Sequence, residues 1–254
     1  MKSSDGERLE PEQTEETENF IFRTLLPPFA PVKKFMKRKK LGLVHTSATL
    51  VPVFAALCKE KLPNVEIFNI ADDSLVKGIR EAGSLTATIA RRVAGYLESA
   101  ELAGADYIMV TCSSIGPAVE AGAKLMGVPV LRVDQPMADQ AVATGKKIGV
   151  IATLATTLEP TADLISRRAV LAGKKIELTS KLVDGAFEAL MAGDGATHDA
   201  KVATALKELS QHVEVIVLAQ ASMARVVDSL AAEDKRVPIL ASPGIAVNYL
   251  ATVL

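Results

Sequence analysis

Tryptophan is absent from the 254 residues, and aromatic side chains make up only 4% of them. An apolar interior must therefore be assembled from Ala, Val, Leu and Ile, the palette of parallel α/β layers rather than of an antibody-like sandwich. There are two cysteines, Cys58 and Cys112, and neither belongs to a CxxC pair, so no disulfide framework is possible and a reducing, cytoplasmic setting is the expectation. The three histidines, His45, His198 and His212, show no metal-ligand spacing, which argues against a zinc site. No apolar run approaches the roughly 20 residues of a membrane span, and no segment reads as a signal peptide. A formal net charge of −1 excludes a strongly basic nucleic-acid binder.

What is present is 49% hydrophobic and 23% charged, the balance of a soluble globular chain long enough for a substantial core. Its ends differ. Residues 1–18 carry seven acids, and residues 19–40 carry seven bases and no acid. That segregation, with PPFAP at 27–31, reads as a disordered N-terminal extension covering residues 1–40. Regular structure is expected from Leu41 onward.

From there short apolar runs alternate with helical patterns. LGLVHTS, VEIFNI, YIMVT and VPVLRV read as strands of a first lobe, residues 41–142. KKIGVIAT, KIELTSKLV, VEVIVLAQ and VPIL read as strands of a second, residues 143–242, and the C-terminal helix, residues 243–254, is free to pack on the first lobe. Ser84 is the expected N-cap of the long helix that ends before Gly104. Asp72, Asp73 and Asp184 precede equivalent helices and read as caps. GDGATHD (193–199) reads as a loop between helices, with His198 and Asp199 as a cap or surface pair.

The two halves repeat. LGLVHTSATL at 41 aligns with IGVIATLATT at 148, DYIMVTCSSI at 106 with EVIVLAQASM at 214, and VPVL at 128 with VPIL at 237, with offsets of 107, 108 and 109. Near-constant offsets in one order predict two lobes related by a pseudo-twofold, each a parallel four-stranded, flavodoxin-like sheet flanked by helices. Loops at the C-terminal ends of parallel strands carry function, so the cleft between the lobes is the expected site. It would be lined by His45, Thr46, Ser47, Cys112, Ser113 and Ser114 from one lobe and by Thr153, Thr157, Gln220 and Ser222 from the other. Hydroxyls, backbone N–H groups and helix N-termini suit a small carboxylate without lysine or arginine. Cys112 sits at a strand-to-helix junction, where unpaired N–H groups favour a thiolate. Cys58, mid-helix among apolar neighbours, reads as an inert buried thiol.

The VTCSS and VIVLAQASM turns, the Thr/Ser-rich loops after the first strand of each half and the duplication over residues 40–254 resemble the aspartate/glutamate/hydantoin racemase superfamily. The resemblance implies a cofactor-independent enzyme, a homodimer or higher homo-oligomer, acting at the α-carbon of a small carboxylic acid held by loop hydroxyls and N–H groups. It also implies one cysteine per lobe on opposite faces of the substrate. Cys112 matches the first position, with Ser113 and Ser114 in its carboxylate-binding turn. The second position holds Gln220, and an amide has no usable proton-transfer pKa. The chemistry implied for Cys112 is therefore one-sided. It could be the single thiol of a decarboxylase, as in the related arylmalonate decarboxylases. It could be a nucleophile, as in the maleate isomerase branch. Or it could share racemisation with a different second acid/base, for which His45 is the candidate if it faces the cleft. A catalytically degenerate carboxylate-binding protein is the non-enzymatic alternative.

Overall fold

The computed structural model describes residues 38–254. Two four-stranded parallel sheets follow one another in the chain. In the first, β1 (Lys40–His45), β2 (Glu66–Ala71), β3 (Tyr107–Val110) and β4 (Val130–Arg132) lie in the order β2-β1-β3-β4. In the second, β5 (Lys147–Ala152), β6 (Glu177–Leu182), β7 (Val215–Leu218) and β8 (Ile239–Ala241) lie in the order β6-β5-β7-β8. Corresponding strands have equal lengths. The internal repeat is thus a structural duplication of two α/β lobes.

Ten α-helices connect and cover the strands among the described residues: α1 (Val51–Lys61), α2 (Asp73–Ala82), α3 (Ala87–Leu102), α4 (Gly116–Ala123), α5 (Gln135–Thr144), α6 (Ala155–Leu171), α7 (Ala186–Met191), α8 (Gly195–Leu209), α9 (Ala224–Ser229) and α10 (Ser242–Val253). The central strands β1, β3, β5 and β7 are almost wholly buried, as expected of sheets covered on both faces. Gly104 follows α3 at φ +87°, a conformation open to glycine at little cost.

Local capping departs from expectation in three places. Thr86, rather than Ser84, caps α3, its hydroxyl accepting from the Ile89 N–H. Asp184 caps no helix; Gly185, at φ +71°, occupies the N-cap of α7 and the Asp184 carbonyl accepts from Lys201. Residues 195–199 are the first turn of α8 instead of a loop, because Asp194 accepts from the Thr197 N–H and starts the helix there. His198 is consequently buried, with Nδ1 on Asp199, which also pairs with Arg225. Asp72 does cap α2, accepting from the Ser74 N–H. Asp73 accepts from the Ala48 N–H and so ties α2 to the turn after β1.

The lobes exchange helices. Met137, Ala138, Ala141 and Val142 of α5, which follows the last strand of the first sheet, pack with Ile148, Val150, Val215 and Val217 of the second. Ala246, Val247 and Leu250 of α10, which follows the last strand of the second sheet, pack with Leu41, Leu43 and Met109 of the first. The boundary at 142/143 expected from sequence falls inside α5. Each lobe's core is completed by a helix reached from the other, and this holds the strand ends of the two sheets around a shared space.

Candidate functional site

A cavity of about 290 Å³ lies at the C-terminal ends of the central strands. That is the small end of the range for ligand pockets and fits a ligand of amino-acid size better than a nucleotide. The first lobe supplies Thr46, Ser47 and Thr49 from the turn after β1, and Cys112, Ser113 and Ser114 from the turn after β3. The second supplies Leu154 and Thr157 from the start of α6, and Gln220, Ala221 and Ser222 from the turn after β7. Ser242 and Pro243, at the start of α10, close the wall.

Cys112 precedes a single 3₁₀ turn, Ser113–Ile115, that runs directly into α4. Its backbone is extended, with φ −133° and ψ 121°, so the side chain stands at the N-terminal end of that turn. Gln220 precedes the 3₁₀ turn Ala221–Met223 ahead of α9, with φ −133° and ψ 136°. The structure therefore places Gln220 in the second lobe at the station Cys112 holds in the first. The Gln220 carbonyl oxygen is committed: Oε1 accepts the Thr153 N–H at 2.6 Å and the Thr153 hydroxyl at 2.9 Å. The amide NH₂ is left as the group with which Gln220 can address a ligand.

Most of the residues nominated from sequence line this one cavity. Two do not. Thr153 is buried behind Gln220 and acts through it. His45 is fully buried beneath the floor, where Nε2 lies 2.9 Å from Asn69 Oδ1 and Nδ1 lies 2.9 Å from Thr111 Oγ1. Asn69 Oδ1 can only accept, so Nε2 carries the proton and Nδ1 accepts from the threonine hydroxyl. Burial pushes the His45 pKa down, against a smaller upward pull from Asn69. The ring also packs on Phe54, with centroids 5.8 Å apart. The candidate second acid/base is thus a packed histidine that holds Thr111, the residue before Cys112. Cys58 is 1% exposed, and burial pushes its thiol up to about 11.

Ser114 and Thr157 share a buried 2.9 Å hydrogen bond between their hydroxyls, joining the thiol turn of one lobe to the first turn of α6 in the other. Behind that turn lies a buried ion cluster. The Arg132 guanidinium donates to both oxygens of Asp134, at 3.0 and 2.7 Å, and to Glu120 at 2.6 Å. Arg132 is 2% exposed and Asp134 0%. Burial alone would lower the Arg132 pKa; Asp134 and Glu120 outweigh it and hold the guanidinium above its ordinary value.

Several cavity residues had no signal in the sequence. Arg80, in the last turn of α2, stacks over the Phe187 ring of α7 at 4.6 Å and approaches Met191 Sδ at 4.0 Å, so the lobes meet again across the mouth. In sequence Arg80 is an ordinary solvated arginine of an amphipathic helix. Phe54, Leu190 and Val133 give the wall an apolar half that residue types alone do not locate. Among the described residues no group of three or more His, Cys, Asp or Glu side chains is placed to hold a metal ion, and no helix is long and apolar enough to cross a membrane.

The family model of the Asp/Glu/hydantoin racemases matches residues 41–250. No curated protein sequence matches the chain. Among solved structures, an isoform of glutamate racemase from Bacillus anthracis is similar with a TM-score of 0.67 at 19% identity, over 86% of this chain and 82% of that one. Allantoin racemase from Klebsiella pneumoniae is similar with a TM-score of 0.63 at 17% identity, over 85% and 87%. An aspartate racemase from Picrophilus torridus is similar with a TM-score of 0.63 at 11% identity, over 84% and 94%. These likenesses establish the fold, and the three racemases are named for different substrates, so none of them fixes a ligand for this cavity.

Proposed function

The chain belongs to the Asp/Glu/hydantoin racemase family, and from that premise we propose that it is a cofactor-independent enzyme of the isomerase class, using Cys112 to move a proton at the α-carbon of a small carboxylic acid. The observation that carries this reading is the station of Cys112. Its thiol lines the cavity at the head of a helical turn, among the hydroxyls of Thr46, Ser47, Ser113 and Ser114. Those hydroxyls and the N–H groups of the Ser113–Ile115 turn would hold the substrate carboxylate and stabilise the enediolate that forms when the α-proton leaves. Cys112 would take that proton and return it mostly to the same face, with inversion, the isomerase outcome, following in the minority of turnovers in which solvent delivers the proton on the Gln220 face.

Gln220 would act from the other lobe as a hydrogen-bond donor through its NH₂, its carbonyl being engaged by Thr153. An amide neither accepts nor delivers the proton, so exchange of the α-proton with solvent should outpace inversion. Decarboxylation of a malonate-type acid is the second reading. Both a one-sided proton delivery to the resulting enediolate and an apolar wall built on Phe54, Val133, Leu154 and Leu190 favour it. The site would need only the chain's own groups and the acid; a soluble homo-oligomer in the cytoplasm is the expected setting.

Proton NMR in deuterated water separates the readings. Amino acids, hydroxy acids and substituted malonates are incubated with the wild type and with Cys112→Ala. Cysteine-dependent loss of the α-proton signal supports proton transfer, and release of carbon dioxide supports decarboxylation. Ligand-dependent thermal stabilisation that survives Cys112→Ala, with no turnover of any acid, would leave a carboxylate-binding protein.

A further inference from the structure

We propose that Arg132 is the positioning residue of the thiol turn: its guanidinium is the fixed seat against which the start of α4, and with it Cys112, is set. The inference rests on the reading of Cys112 as the reacting thiol. Arg132 ends β4, beside the strand that leads into Cys112. Its guanidinium lies flat against Gly116, the first residue of α4, so closely that a Cβ added at Gly116 would fall 2.1 Å from Cζ, 2.3 Å from Nη2 and 2.6 Å from Nε. No side chain other than hydrogen fits between them. The contact is backbone against a planar cation, four residues from the thiol.

The seat itself cannot drift. Asp134 holds two of the guanidinium nitrogens side by side, and Glu120, on the following turn of α4, holds the third. Glu120 also accepts from Arg167 of α6 at 2.9 Å, and Arg132 Nη2 reaches the Pro160 carbonyl of α6 at 3.5 Å. One buried arginine therefore meets the backbone of the thiol helix and the facing helix of the second lobe. Together with the Ser114–Thr157 bond this fixes both the tilt of the Cys112 turn and its distance from α6. A buried ion cluster is a poor source of net stability, because desolvation offsets its Coulomb attraction. Its directional bonds instead specify one geometry, which is what a proton-transfer thiol requires.

The test uses no substrate. The second-order rate of iodoacetamide alkylation at Cys112 is followed from pH 6 to 9 by peptide mass spectrometry, with Cys58 as the internal unreactive thiol. The chains compared are the wild type, Gly116→Ala, Arg132→Lys and the G116A/R132K double variant, each checked for folding by circular dichroism. Gly116→Ala drives a methyl into the seat and displaces the start of α4, and with it the turn that Cys112 heads. By misplacing the thiol in the cavity it should slow alkylation near neutral pH at least about fivefold. The slimmer lysine head makes room, so the double variant should recover at least about half of that loss, a coupling that general destabilisation would not produce. Unchanged alkylation in Gly116→Ala, or strictly additive losses in the double variant, overturns the proposal. If Gly116→Ala does not fold, Glu120→Gln takes its place, and at least a twofold slowing at unchanged fold is required. An intact coupling in a protein that turns over no acid would refute the proposed reaction and leave the seat standing.

Discussion

Cys112 and Gln220 share one backbone conformation, φ −133° with ψ 121° and 136°, each ahead of a 3₁₀ turn after the third strand of its lobe. The duplication thus supplies two equivalent stations on one cavity and fills them with unlike chemistry. A thiol can carry a proton and an amide cannot.

Cys112 should be the reactive thiol and Cys58 the silent one. With its thiol pushed up to about 11 by burial, Cys58 is on the order of 10⁻⁴ ionised at neutral pH. Iodoacetamide at pH 7.5 should label Cys112 selectively, and a bound small carboxylate should protect it. Cys112→Ser should lower proton exchange by about 10²- to 10⁴-fold, as loss of a positioned acid/base does.

Gln220→Ala should cost stability as well as affinity. It removes the acceptor of the Thr153 N–H and hydroxyl, both on a buried residue, and leaving such donors unmet costs about 1–3 kcal/mol. Urea denaturation would read that loss. Gln220→Cys should instead place a second thiol on the opposite face and convert exchange into racemisation, read by chiral chromatography.

Acid should weaken the fold through His45. Its folded-state pKa lies below the ordinary histidine value of 6.5 because burial disfavours the cation. The unfolded chain therefore binds the proton first. Stability from this group is complete above the unfolded value and is lost as the pH falls from about 6.5 through the lowered folded value. Between pH 7 and 5.5 the stability of the wild type should fall more steeply than that of His45→Gln. Parallel pH profiles for the two proteins would rule the effect out.

Breaking the buried Arg132–Asp134 pair from one side should be severe. Asp134→Ala leaves a guanidinium that is 2% exposed with only Glu120 as its carboxylate partner, a loss expected at about 3–5 kcal/mol in chemical denaturation. Arg167→Ala, whose guanidinium lies on the half-exposed outer edge of the same cluster, should cost about 1 kcal/mol or less.

The alternation of strands and helices, the duplication and the turns at Cys112 and Gln220 were legible in the sequence because each rests on local pattern: apolar runs of strand length, small polar residues at their ends, and a spacing that repeats. Features decided by tertiary contact were not. Ser84 and Thr86 are equally good caps on paper, and the structure uses Thr86. His45 sits one residue from cavity-lining Thr46, yet strand alternation turns its ring under the floor toward Asn69 and Thr111. Asp194 starts α8 inside a segment whose two glycines read as a loop. Arg80 and Arg132 look alike as residue types; only the packing puts one at the mouth of the cavity and the other against Gly116. The packing of the C-terminal helix on the first lobe agrees with expectation, whereas the passage of α5 into the core of the second lobe leaves no trace in hydrophobic periodicity.

The most direct test of one-sided chemistry at Cys112 is the ratio of α-proton exchange to inversion for the best acid found, measured on one sample in deuterated water by proton NMR and chiral chromatography. The account predicts exchange at least about tenfold faster than inversion, both abolished in Cys112→Ala, with the deuterated product keeping the configuration of the starting acid. Inversion that keeps pace with exchange in the wild type would contradict it, since a second proton carrier would then be at work on the face where Gln220 stands.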